Sequence, residues 1–487
     1  MKFTTFALFA YHAACVFSMP TSAEAECGAL GVMDWSTVEL PDYIDRTKLR
    51  KCKEHPENIV SPNKREDSNV LQERACSPPG EGKRWGCSKS GYCWINCGSL
   101  LRGEWCWEAM NHGTGEWSKS PSTYGPIQDR LTSKVVTKIL QDERGIDLAV
   151  INGDIISRDN LMSNSTGYLD QALKPLVDRG LTWASVYGNH ESNNMRNVED
   201  VFRREERFRG SRTLSMVPGK SVGITNYYLP VYDSKCTRGH RCVPKLILWF
   251  FDSRSGFNYN DLDEQGKQVQ RVNWVDNKVV KWFLKERKSI QKKHKTNIPS
   301  LAFVHIPPNV FYAVQKDVGV DPRRNPGIND MFQLGQGEKF CSNGTRSDGC
   351  TWGGQDIPFM DALGSTRGLM GVFVAHHHGN SWCYPWTDKS LPGYPVQPSA
   401  GGLKICYGQH TGYGGNGDWE RGSRQLLLRQ DGIKKGELET WIRLETGEVV
   451  GAITLNRTFG EDEYPQSPNR KTFCEACREW DDYKPEP

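Results

Sequence analysis

Between residues 148 and 374 the chain repeats one pattern: a short apolar run that stops on a residue type able to bind metal. Leu148 to Ile151 leads into Gly153-Asp154, and Trp183 to Tyr187 into Gly188-Asn189-His190. Leu301 to Val304 ends on His305, and Leu369 to Val374 leads into His376-His377-His378. Such runs, bounded by turn residues, read as buried β-strands. A strand end can aim a side chain into a shared crevice while the rigid sheet holds it there. The donors are oxygen and nitrogen, with no thiolate. That mix suits Mn, Fe or Zn and a hydrolytic reaction rather than a structural zinc knot.

Helical stripes fall between these strands. Val135, Val136, Ile139 and Leu140 form one that ends before Gly145, and Leu169 to Leu176 and Trp274 to Phe283 predict two more. Leu246 to Phe251 is the longest apolar strand candidate. The last hundred residues hold Ile405 to Tyr407, Gln425 to Leu428, Leu438 to Ile442 and Val449 to Leu455, closely spaced strands with no helix expected between them. The fold class that follows is α/β, a two-sheet β-sandwich flanked by helices.

A chain of 487 residues buries a core without staples, so its 16 cysteines inform about compartment. Lys2, the apolar run Phe3 to Phe17 and Ala23-Glu24-Ala25 describe a secretory signal peptide over residues 1–25, too short for a membrane span. The predicted destination is extracellular. Sequons at Asn164, Asn343 and Asn456 are compatible with glycosylation on that route. Seven cysteines (Cys27, Cys52, Cys76, Cys87, Cys93, Cys97 and Cys106) crowd residues 26–112, which read as a small disulfide-rich N-terminal module. Disulfides are favoured there over zinc. The pairs Cys236/Cys242, Cys341/Cys350 and Cys383/Cys406 are expected as local disulfides, and Cys474/Cys477 as a structural pair in a tail, 461–487. Residues 113–126, rich in Gly, Ser, Thr and Pro, read as a linker. A net charge of +4, from 62 basic and 58 acidic residues, points to no nucleic-acid partner and no anionic membrane.

Taken singly, each candidate ligand has a structural explanation. Asp154 could cap a turn, Asn189 beside Gly188 is a common turn pair, and His305 could be a satisfied core histidine. Their order, each at a strand end, favours a site. The blocks Asn152-Gly153-Asp154, Tyr187-Gly188-Asn189-His190-Glu191, Val304-His305-Ile306-Pro307 and Ala375-His376-His377-His378-Gly379-Asn380 resemble the calcineurin-like metallophosphoesterase superfamily. Tyr124-Gly125-Pro126-Ile127-Gln128-Asp129-Arg130, Phe251-Asp252-Ser253-Arg254 and His410-Thr411-Gly412-Tyr413-Gly414-Gly415 resemble its purple-acid-phosphatase-like branch in fungi and plants. The similarity runs from about Tyr124 to Leu455, within an expected domain of residues 127–460.

The resemblance implies two metals about 3.5–4 Å apart that clamp a phosphate ester for in-line attack by a metal-activated hydroxide. By position, Asp154 bridges both metals, Asn189, His305 and His376 complete one, and His378 serves the other. His190 becomes the general acid at the leaving group, and His410 falls on the substrate side. Three departures bear on this. Ala375 stands for the usual Gly, and Ser157 for the Tyr that colours the purple members. The family's opening Asp-x-His occurs nowhere in the chain; Met110-Asn111-His112 is the nearest approach. One metal position therefore lacks two ligands and is expected to stand empty, with catalysis impaired. The expected substrate is a small-molecule or protein phosphate ester. The alternative is an inactive secreted binding protein whose cysteine-rich module holds an extracellular partner.

Overall fold

A computed structural model describes residues 27–55 apart from 39, 41–45 and 47–48, three short strands within 85–107, and residues 121–472 apart from 157–164, 193–196, 220, 238–241, 388–390 and 392. The expected signal peptide, Asn164, Ser157, His112, Cys474 and Cys477 lie outside the described residues. The chain divides into two units, Met1–Tyr124 and Gly125–Pro487. In the first, Cys27 is bonded to Cys52. The strands β1 (Trp85–Cys87), β2 (Cys93–Asn96) and β3 (Trp105–Trp107) form an antiparallel sheet in which Cys87 sits opposite Cys93. Helix α1 (Pro121–Asp142) begins inside the stretch read as a linker. Proline at a first helical position gives up an N–H that has no partner there anyway, so Pro121 can start a helix where the sequence pattern suggested none.

In chain order the second unit continues with β4 (Ala149–Asn152), α2 (Ser165–Asp178), β5 (Trp183–Val186), α3 (Val198–Glu205), β6 (Tyr227–Val231) and β7 (Leu246–Phe251). Next come the hairpin β8 (Phe257–Leu262) and β9 (Gln268–Gln270), α4 (Asn277–His294), β10 (Ser300–Val304), α5 (Val310–Ala313), α6 (Ile357–Gly364), β11 (Leu369–Val374), β12 (Cys383–Trp386) and β13 (Leu403–Tyr407). The last elements are β14 (Gly422–Leu427), α7 (Gln430–Lys435), β15 (Leu438–Leu444) and β16 (Val449–Leu455). Helix α7 interrupts strands that were expected to follow one another directly. It closes on Gly436, whose φ of 75° makes the left-handed turn that ends a helix.

The two-sheet sandwich is as the sequence pattern predicts. A six-stranded sheet runs β12-β13-β11-β10-β7-β6, parallel through its middle and antiparallel at both edges. Side chains alternate across it. On one face Trp249, Phe251, Ala302, Val304 and Val372 pack against Val279 and Phe283 of α4 and Phe359 of α6. On the other, Leu248, Phe250, Leu301 and Phe303 meet Ala184 and Val186 of β5 and Leu438, Ile453 and Leu455 of β15 and β16. Tyr227, Phe250, Phe303 and Phe373 stack in a row across four adjacent strands, with centroids 4.4, 5.3 and 5.6 Å apart. Helices α1, α2 and α3 cover the outer side of β5 through Leu140, Leu169, Leu173 and Val201. The three local disulfides form as expected. Cys383 and Cys406 lie directly opposite each other on β12 and β13.

Asp356, at the start of α6, is wholly buried and accepts from Trp352 Nε1 at 2.7 Å and from the Asn309 amide at 2.6 Å. Burial pushes its carboxyl up to about 6. The folded chain thus keeps a proton that the unfolded chain has lost, and stability falls as pH rises from about 4 to about 6. Two pH units correspond to about 3 kcal/mol. In Asp356→Asn that component should vanish. The difference between wild-type and variant stability, read from urea midpoints at pH 4 to 7, should shift in the variant's favour across this window. A constant difference would refute the assignment.

Candidate metal centre

The parallel strands bring their C-terminal ends to one side of the second unit, where irregular backbone can gather ligands. Gly153 and Asp154 leave β4 with φ of 92° and 54°. A Cβ on Gly153 would lie 2.3 Å from His305 Nδ1, and one on Gly188 would lie 2.3 Å from Asp154 Oδ1. Both sites require glycine because of this close approach. Asn152, the last residue of β4, donates through Nδ2 to the carbonyls of Val304 and Phe373 at 3.3 and 3.2 Å, tying β4 to the ends of β10 and β11.

His305 is 1% exposed. Its Nδ1 lies 2.7 Å from the Asn152 carbonyl, to which it donates. Its Nε2 faces two oxygens, Asp154 Oδ2 at 2.9 Å and Asn189 Oδ1 at 3.3 Å. With Nδ1–H committed, Nε2 of the neutral ring carries a lone pair, and three lone-pair atoms converge. Only a proton or a cation reconciles them, and a carbonyl-oriented histidine is how metal ligands are held. The donor set therefore fits a divalent cation. The ligand atoms of Asp154, His305 and His376 all lie within 4.8 Å of one another. His376, with φ of 68°, packs edge-on to His305, ring centroids 5.2 Å apart.

The charges agree with that fit. Burial opposes ionisation of Asp154, but His305 and His190 outweigh it and hold the carboxyl far below the usual range. Burial, with His305 and His377 nearby, keeps His376 neutral well below its ordinary pKa, and a neutral imidazole is the form that binds metal. The His190 amide donates to Asp154 Oδ1 at 2.9 Å, and its ring Nε2 stands 4.0 Å from Oδ2. His378 donates Nδ1–H to the Asn416 carbonyl at 2.7 Å and stacks on His410 at 3.8 Å, outside the Asp154, His305 and His376 group. His377 turns inward to Tyr407, its Nδ1 2.9 Å from the hydroxyl, and burial lowers its pKa to about 4.

The sequence alone did not single out Glu191. Fully buried, it accepts the backbone amides of Asp154 at 3.0 Å, Ile156 at 3.3 Å, Gly188 at 2.6 Å and Ile155. One carboxylate thus pins both the Gly153-Asp154 and the Gly188-Asn189 turns. The only available signal was its place directly after His190.

Residues 122–346 match the calcineurin-like phosphoesterase family. The chain carries a calcineurin-like phosphoesterase domain. That span includes Asp154, Asn189, His190 and His305; the three consecutive histidines and His410 follow it. Phosphatase DCR2 of Saccharomyces cerevisiae is 24% identical over 332 residues, 65% of this chain and 48% of that protein. The chain thus spans about half the length of that relative. Probable inactive purple acid phosphatase 14 of Arabidopsis thaliana is 23% identical over 359 residues, 69% of this chain and 79% of that protein. Probable inactive purple acid phosphatase 28 of the same plant is 24% identical over 349 residues, 66% and 74% respectively. Among the described residues no helix is long and apolar enough to cross a membrane.

Proposed function

We propose that this protein is a secreted metal-dependent phosphoesterase acting on phosphate monoesters, with one strong and one depleted metal position. The observation that carries the reading is His305 Nε2, facing two oxygens while its other nitrogen is committed to a carbonyl. Asp154, Asn189, His305 and His376 would hold one Mn, Fe or Zn ion. Asp154 and His378 would be left for a second. When bound, a divalent cation polarises a phosphoryl oxygen and lowers the pKa of water. Asp154 orients the His190 loop by accepting its amide, and the His190 ring, partly open to solvent and with Nε2 4.0 Å from Asp154 Oδ2, would give a leaving oxygen its proton. His410, stacked on His378, would line the substrate side.

The test is hydrolysis of an aryl phosphate by the full chain after loading with Mn, Fe or Zn. His190→Ala should lower kcat by about 100-fold or more, the usual worth of a general acid. Its metal content should stay unchanged, because the ring is no part of the four-ligand set. Full activity in that variant would remove His190 from the chemistry. A second reading, an inactive binding protein, draws on the absent Asp-x-His and on two relatives whose names call them probable inactive phosphatases. Metal-loaded chain without turnover on any phosphate ester would favour it.

A further inference from the structure

Helix α4 and its C-cap carry seven exposed lysines; Lys293 stands apart, and the other six are Lys278, Lys281, Lys285, Lys288, Lys292 and, at the C-cap, Lys295. Their spacing alternates three and four residues, so Lys278 to Lys292 share one face of the helix, and Lys295 follows at its left-handed C-cap. At 1.5 Å per residue the helical part of the row is about 21 Å long. The opposite face buries Val279, Val280 and Phe283 in the core. None of the six enters an ion pair among the described residues, whose lysine pairs fall on Lys138, Lys174 and Lys471. The helix dipole accounts for cations in the last turn but not for Lys278 and Lys281, which stand at the end where it disfavours them. Like charges three and four apart also repel, so local helix stability does not explain the row. Past the helix, residues 296–299 border a cleft of about 130 Å3 that Lys245 and Lys434 also line. Three carboxylates border this track: Asp276, which caps α4 and accepts the Lys278 amide at 2.8 Å, Glu286 on the helix, and Asp233 near Lys245.

We propose that this row and its terminal cleft bind a linear inorganic polyphosphate chain. A repeating anion satisfies a row of ammonium groups in any register, and ammonium is a point-charge partner for phosphate. The single arginine of the helix is turned away to the Ser365 carbonyl and Thr366 Oγ1, so the row itself offers ammonium groups alone. No exposed large apolar side chain lies on the helix to stack a base or enter a lipid surface. The inference rests on the helix and its cleft, not on the metal centre.

The experiment measures binding of a fluorescent polyphosphate to the full chain across a salt series. Six contacts predict a slope of log affinity against log salt of about −4, and Lys281→Gln/Lys285→Gln/Lys288→Gln should reduce it to about −2. At 0.1 M salt the triple variant should bind about 100-fold more weakly. Its far-ultraviolet circular dichroism should match wild type, because the changes relieve repulsion. Asp154→Asn should bind as wild type does, even if the phosphoesterase reading fails. Loss of binding in Asp154→Asn would place the polymer in the metal crevice and overturn the proposal. So would an unchanged slope in the triple variant, or equal wild-type affinity for duplex DNA or for phosphatidylserine vesicles.

Discussion

Asp154→Asn is expected to abolish metal retention while leaving the fold intact. The carboxylate is the one anionic donor in the group; Asn189 is uncharged, and His305 and His376 would bind metal in their neutral form. Losing even an outer partner of a metal site costs about 10- to 100-fold in affinity, and a direct anionic ligand more. The variant nevertheless keeps its contacts. Asn Oδ1 can still accept the His190 amide that Asp154 accepts at 2.9 Å. Its Nδ2–H can donate to Nε2 of a neutral His305 over the 2.9 Å that Asp154 Oδ2 now spans. The metal-free variant should therefore still fold, melting somewhat below the metal-free wild type because it loses the attraction of the carboxylate to His305 and His190. Bound metal by mass spectrometry and melting temperature with chelator read the two halves separately. Metal retained at wild-type affinity would exclude Asp154 as a ligand.

Glu191→Gln should be more damaging to stability, though no proposed ligand is touched. Asp154 and Gly188 donate to one oxygen, and Ile155 and Ile156 to the other. Whichever oxygen becomes an amide, two buried N–H groups lose their acceptor and face another donor. At about 1–3 kcal/mol for each unsatisfied group, the loss is about 2–6 kcal/mol. Both turns that carry Asp154 and Asn189 should loosen, so metal affinity should fall with stability. The check is a urea titration of both proteins in chelator, followed by metal titration. A Glu191→Gln chain as stable as wild type would mean that the two turns hold themselves.

What was legible in the sequence was what hydrophobic burial alone decides. Leu246–Phe251 and Leu369–Val374 are buried at every position, so their composition announces them. Strand β6 breaks its run with Pro230 at an exposed edge, and β8 reads Phe-Asn-Tyr-Asn-Asp-Leu with four exposed residues, so neither looked like a strand. Helix α4 runs to His294, eleven residues past the predicted end, because its apolar face thins to Ile290 while its outer face fills with lysine. That lysine row was hidden by bulk charge, which acidic residues elsewhere bring back to +4. The candidate ligands stood out only together, because Gly-Asp, Gly-Asn, a histidine and three consecutive histidines each close an apolar run. Glu191 did not, because a lone glutamate ordinarily faces water and only loop closure buries it. The stacking of His410 on His378 is likewise a product of tertiary folding, between residues 32 positions apart.

Metal content and turnover measured on one preparation test the central claim most directly. The full chain would be loaded with Mn, Fe or Zn, dialysed, analysed for metal by mass spectrometry, and assayed at once on an aryl phosphate. Four donors hold one divalent cation against water, whereas two seldom do. The prediction is therefore about one metal per chain, absent from Asp154→Asn, with slow hydrolysis that disappears when chelator removes the metal. A wild-type chain that retains no metal, or one that holds two tightly and turns over briskly, would contradict it.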